Sequence, residues 1–233
     1  MPYPFAHPAA VLPLVQPLGR FAAPSALVIG SVVPDLWTFV PFVDRATSHS
    51  VAGLFWFCLP AGLAGYVLFH LVLKQPLIAL LSPRLAAFTS AGLPPARWSA
   101  VAVSVFAGAA THLAWDALTH ANDDIEGGGH NWPQHASTVL GSAILAWWVW
   151  RKVRRATPAL SGERLSARAR ALTIIALAAA TAGAAWLSVS GFPSPADVAA
   201  LRQLLRTAAS AAVVGLTLAL FVYCAIWRLG KKR

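Results

Sequence analysis

Charge is scarce in this chain. Only 11% of its 233 residues are charged, and just 8 are acidic against 18 basic. With 58% hydrophobic residues and a mean hydropathy of +0.63, this excludes an ordinary soluble domain. Cysteine is nearly missing. Cys58 and Cys224 both lie inside apolar segments, which excludes a disulfide framework and a cysteine zinc site. The first ten residues, MPYPFAHPAA, hold no basic group, so no cleavable signal peptide is expected. The net charge of +10 could suggest nucleic acid. Most of the basic residues cluster at 151–170 and 228–233, flanking apolar runs, which is the pattern of topogenic charge, and no nucleic-acid partner is expected.

What is present is a series of apolar runs, at about 51–73, 99–119, 136–150, 168–189 and 207–227. Residues 7–19 and 24–34 are too short to cross a full bilayer at roughly 1.5 Å per residue. Arg20 and Pro24 separate them, which predicts a helical hairpin turning near Arg20. Pro8 suits a first helical turn with His7 at its flank, and Pro34 ends the second arm. Residues 74–98 read as an interfacial helix followed by a Pro-rich turn. Trp37, Trp132, Trp147, Trp148, Trp150 and Trp227 suit interfacial anchors. The expected fold is an all-α polytopic transmembrane bundle of about seven membrane-embedded helices, the short N-terminal hairpin included. Residues 1–155 would form the membrane domain that carries the site. Residues 156–233 would add two transmembrane helices, a basic cytoplasmic loop and a tail.

Loop charges predict the orientation. With the Arg20 turn, the 74–98 and 151–170 loops and the C-terminus in the cytoplasm, only Arg45, Arg202 and Arg206 of the 18 basic residues fall outside. The 121–135 loop, with Asp123, Asp124 and Glu126, is then outside as well. His7, Asp35, His49, His112, Asp116 and His120 all fall on the outer side.

These residues carry the chemistry. In THLAWDALTH (111–120), His112, Asp116 and His120 are spaced i, i+4, i+8, so they share one helical stripe. Histidine and carboxylate together suit zinc and similar divalent ions, and such groups are costly near lipid unless function retains them. His120 lies about 12 Å from His112 along the axis by helix rise, so it would serve a second ion bridged by Asp116. One or two ions are therefore expected. Asp35, after Pro34, could act as a base on water, ligate, or cap a helix. His49, between Ser48 and Ser50, sits in a capping context but is also a candidate ligand. His70, near Lys74, reads as structural, while His130 and His135 lie in or beside the acidic outer loop.

On these residues the chain resembles a bacterial family of polytopic membrane proteins, the domain-of-unknown-function family four-one-eight-four. The features that match are His7-Pro8-Ala9, Gly30-Ser31, Pro34-Asp35, Ser48-His49-Ser50, Thr111-His112, Trp115-Asp116, Thr119-His120 and Gln134-His135 with Ser137. More distantly, the order His7, Asp35, His49, His112, Asp116 resembles membrane-bound metal-dependent hydrolases induced by DNA damage, and zinc-dependent phospholipase C. The last resemblance implies His49, His112 and Asp116 as metal ligands, Asp35 as a water-orienting base, and His7 on a second metal.

The expected function is an integral-membrane metal-dependent hydrolase of the bacterial inner membrane. It would act on a phosphoester or lipid at the outer face, with membrane lipids as its surroundings and a divalent ion, zinc above others, as cofactor. A transporter or proton relay using the same His and Asp groups is the alternative, as is a non-catalytic protein with a structural metal. Relay groups would be spread through the membrane depth, whereas these cluster at one face.

Overall fold

Prolines shape the first forty residues, because a proline fits the first turn of a helix and interrupts its interior. The chain accordingly runs through α1 (Pro8–Val11), a 3₁₀ turn (Leu12–Leu14), α2 (Val15–Leu18), a second 3₁₀ turn (Gly19–Phe21), α3 (Pro24–Gly30) and a 3₁₀ stretch (Val33–Phe39). Pro8, Pro13, Pro24 and Pro34 each stand in the first turn of their piece. The reversal falls at Gly19, whose φ of 50° favours glycine, and Arg20 follows it. The hairpin is therefore present, with arms assembled from short helical pieces. This computed structural model describes residues 6–90, 97–120, 132–156 and 164–230.

Next come α4 (Arg45–Ser48), capped by the Asp44 carboxylate, and α5 (Val51–Gly53), capped by the Ser50 hydroxyl. From α5 the helix continues through a π turn (Leu54–Cys58), α6 (Leu59–Leu68), a second π turn (Phe69–Leu73) and α7 (Lys74–Leu80). The rest is α8 (Pro83–Ser90), α9 (Trp98–His120), α10 (Trp132–Arg155), α11 (Ala167–Val189) and α12 (Val198–Gly230).

All described elements are helical, but the count of spans differs from expectation. Among the described residues four helical stretches are long and apolar enough to cross a membrane, not about seven: Val51–Leu80, Trp98–Thr119, Ala167–Val189 and Val198–Gly230. The hairpin pieces are too short, and α10 closes on Lys152, Arg154 and Arg155, which leaves its apolar part brief. Residues 74–80 continue the helix of the preceding span, which passes Pro76 without ending.

Contacts divide the chain into two units, Met1–Phe69 with Ala91–Ala156, and His70–Ser90 with Thr157–Arg233. In the first, α9 is the central element and packs on α1, α3, α6 and α10. Ala23, Ala26, Val101 and Val105 form one buried cluster, and Val33, Leu54, Phe57, Cys58 and Ala109 another. The α3–α9 approach is backbone to backbone. A Cβ on Gly30 would collide with the Val105 carbonyl, and one on Gly108 with the Leu27 carbonyl. Ser104 fixes the start of α3 by accepting from the Ala23 N–H (2.8 Å) and donating to the Phe21 carbonyl (3.0 Å).

In the second unit α11 and α12 pair along their length, and both keep apolar side chains exposed, among them Ile175, Trp186 and Leu218. Pro76 has no N–H to offer the carbonyl of Val72, four residues back. Arg228 donates to that carbonyl from Nε and Nη2, at 3.3 Å each, and the Tyr223 hydroxyl donates to the Pro76 carbonyl at 2.8 Å.

Candidate metal centre

Four separate stretches of the first unit deliver five side chains to one point. His7 enters at the N-terminal side of α1, where Ala6 lies against Gly141 of α10. Asp35 comes from the 3₁₀ stretch after Pro34, and His49 from the junction of α4 and the Ser50 cap. His112 and Asp116 lie one turn apart on α9. Each of the five is buried or nearly so, and His7 and His112 are among the largest fully buried side chains.

Their spacing is the telling feature. Nε2 of His49 lies 3.6 Å from Asp35 Oδ1 and 3.5 Å from Asp116 Oδ2. Nε2 of His112 lies 3.6 Å from Asp35 Oδ1 and 3.9 Å from Asp116 Oδ2, while His7 Nε2 is 3.8 Å from Asp116 Oδ1. These separations exceed a hydrogen bond, which for N–H···O centres near 2.9 Å. They are close to the roughly 3.4 Å edge of a tetrahedron whose corners lie about 2.1 Å from a central zinc. His7, Asp35 and His112 form one group able to hold an ion, and His49, His112 and Asp116 another, each with donor atoms within 4.8 Å of one another.

Hydrogen bonds outside the cluster aim the imidazoles inward. The Ser31 carbonyl can only accept, so at 2.7 Å it takes the proton of His112 Nδ1 and leaves the Nε2 lone pair facing the carboxylates. Ser48 gives its hydroxyl proton to the Arg45 carbonyl (3.2 Å) and accepts from His49 Nδ1 (2.8 Å), with the same result. Among the described residues, Nε2 of His49 and of His112, both nitrogens of His7, and Asp35 Oδ1 are buried with no hydrogen-bond partner. Such polar atoms are costly to leave unmatched, and a shared cation would satisfy them together.

Electrostatics point the same way. Burial alone would raise the Asp35 pKa, but the imidazoles of His112 and His49 beside it outweigh burial and hold the carboxyl well below its usual range. Burial lowers the pKa of His49, yet the carboxylates of Asp116 and Asp35 prevail and raise it. Burial and the neighbouring His112 push His7 down to about 4, so it is neutral at physiological pH and free to ligate. His7 stacks on His112 with ring centroids 3.7 Å apart.

Of the residues singled out in the sequence, these five meet. His120 ends α9, and its side chain lies outside the described residues, as does all of His130. His135 is exposed on α10. His70 lies in the second π turn and belongs to the other unit. The structure adds Arg45, whose Nη2 donates to Asp116 Oδ2 at 3.0 Å. Its signal was its place four residues before His49, one turn away on the same face. Ser31 acts through its backbone, so no residue identity could have announced it.

No curated protein and no solved structure matches this chain. A family model described as "Domain of unknown function (DUF4184)" matches residues 1–125, more than half of the chain and all five converging residues. The chain thus belongs to the DUF4184 family.

Proposed function

We propose that this protein is an integral-membrane, metal-dependent hydrolase that binds zinc through His49, His112 and Asp116 and acts on a phosphoester, of a lipid or a smaller molecule, at the outer membrane face. The observation that carries this reading is the set of 3.5–3.9 Å gaps between inward-facing donors, too long for hydrogen bonds and suited to a shared ion. Both candidate ligand groups need His112, whose Nδ1 is committed to Ser31, so its remaining nitrogen serves one ion at a time. A single ion is therefore the simplest occupancy. Zinc follows from a donor set of imidazole and carboxylate, and the outer face from the loop charges.

When bound, the ion supplies Lewis acidity and lowers the pKa of a coordinated water toward about 7. Asp35 faces both imidazoles and would act there as a hydrogen-bond acceptor that orients a water. A carboxyl held below its usual range orients a proton and passes it on more readily than it keeps it. His7 closes the inner wall against His112 and offers one more neutral donor.

The test is metal analysis of detergent-purified protein prepared without chelators, together with two variants. Asp116→Asn, which removes the charge that offsets the cation, should lose bound zinc while the protein still inserts. Asp35→Asn should keep most of its zinc and lose hydrolysis of phosphoester substrates by about 10²–10⁴-fold, the range for a general base. Wild-type protein with no stoichiometric transition metal would sink the hydrolase and favour the proton relay.

A further inference from the structure

Resting on the hydrolase reading, we propose that Arg45 is the anion seat of this centre, holding a phosphoryl oxygen of the substrate beside the ion. Arg45 opens α4 and His49 follows that helix, with the His49 N–H bonded to the Arg45 carbonyl at 2.9 Å. One helical turn therefore delivers a cation and a ligand to the same Asp116 oxygen, Oδ2, at 3.0 and 3.5 Å. Arg45 is also the most exposed member of the group, with 40% of its side chain accessible against 8% for Asp116. It stands where the buried cluster meets its surroundings.

The guanidinium is only partly used. An arginine that exists to neutralise a carboxylate commonly presents two parallel N–H groups to it. Among the described residues Nη2 alone reaches Asp116, and Arg45 Nε is buried with no hydrogen-bond partner there. The adjacent carboxylate is committed elsewhere, since Asp44 accepts from the Thr47 N–H at 2.7 Å to cap α4. A buried, unmatched N–H on a cation calls for an acceptor, and an oxyanion supplies one.

Charge gives the same answer. Ligation requires neutral imidazoles, and with the ion bound Asp35 and Asp116 would bring two negative charges and Arg45 one positive. A divalent ion then leaves the centre with one net positive charge in a largely dry setting. Such a centre favours an anionic ligand, and a phosphoryl group can span the ion and the guanidinium.

The experiment uses the full chain, zinc-loaded and solubilised in a neutral detergent. Binding of inorganic phosphate and of dihexanoyl phosphatidic acid is measured by calorimetry, beside zinc content and thermal unfolding. Arg45→Gln should keep its zinc and bind both probes more weakly by about tenfold or more, the scale of one charge-assisted hydrogen bond. Arg45→Lys keeps the charge without the fork, should recover part of the affinity, and serves if Arg45→Gln fails to fold. Tighter Arg45-dependent binding of phosphatidic acid identifies a lipid substrate, and equal binding a water-soluble phosphoester. Unchanged affinity in zinc-loaded Arg45→Gln overturns the inference. So does loss of zinc from that variant, which would make Arg45 a prop for Asp116, and so does wild-type protein that holds zinc yet ignores both probes. Wild-type protein that takes up no zinc overturns the hydrolase reading, and this inference with it.

Discussion

A proton on His49 Nε2 competes with any cation for the same nitrogen, and the carboxylates around it set the outcome. Burial works against that proton, but Asp116 and Asp35 outweigh burial and raise the pKa. A raised folded pKa stabilises the metal-free fold below the unfolded imidazole value, and this contribution is lost as pH rises through the folded value. Asp35 has the opposite sign. Its lowered pKa stabilises the fold above the unfolded carboxyl value, and the contribution is lost as pH falls through the folded value. Ligation requires neutral imidazole, so zinc affinity should climb as His49 gives up its proton. Between about pH 6 and about pH 8 His7, whose lowered pKa adds stability as pH rises, opposes the His49 trend in the metal-free protein, whereas the increment added by zinc should grow steadily. Thermal unfolding in detergent with and without zinc measures that increment. A zinc increment that shrinks across this range would remove His49 from the ligand set. At this scale much of the centre was legible in the sequence. The His112–Asp116 pair shows in its i, i+4 spacing, and loop charges put His7, Asp35 and His49 on the same side. Arg45 was not legible as a site residue, because in a count of loop charges it looks like any other arginine. The inward aim of His112 was not legible either, since a backbone carbonyl provides it.

Among the elements, the contact between α3 and α9 has the most direct bearing on the chemistry. Gly30 and Gly108 let the two backbones touch, and the same contact brings the Ser31 carbonyl to His112. Gly108→Ala would drive a methyl group into the Leu27 carbonyl, so the helices must part. Overpacking of this kind costs about 1–3 kcal/mol, and the parted helices would weaken the His112 hydrogen bond. The expected result is a lower melting temperature and weaker zinc binding. Gly183→Ala in α11 is the control. Nothing lies within 4 Å of a Cβ there, and alanine favours helix by up to about 1 kcal/mol, so stability should hold or rise with zinc binding unchanged. Equal loss of zinc affinity in both variants would detach the site from this helix contact. The hairpin turn was readable from Arg20 and Pro24. The extension of the first span through Pro76 was not, because a proline within an apolar run signals a stop until something satisfies the carbonyl it orphans. Arg228, 152 positions after Pro76 in the sequence, does so, and local pattern cannot report it.

For the whole molecule, the number of crossings turns on α10, which is not among the four apolar spans. Four crossings would leave the two ends of the helical series on one side of a membrane, and a fifth, by α10, would leave them on opposite sides. The end of α10 resembles an interfacial anchor. Arg151 lies over the Trp147 ring at 5.4 Å, Lys152 over Trp148 at 5.8 Å and Arg154 over Trp150 at 4.8 Å. Those cations and the arginines that follow would oppose the positive-inside rule if this end stayed outside. A reporter fused after Arg233 should therefore be active only in its cytoplasm-reading form. Activity of the periplasm-reading form would show that α10 does not cross, and would leave the site and the C-terminus on the same side. Among the described residues, the pair α11–α12 supplies none of the five converging side chains, lies beyond the family match, and keeps apolar side chains exposed. It can therefore be regarded as an interchangeable anchor. Bilayers differ in thickness by a few ångströms, and a helical hairpin of another length could be grafted in its place to suit a different membrane, with the five converging side chains left as they stand.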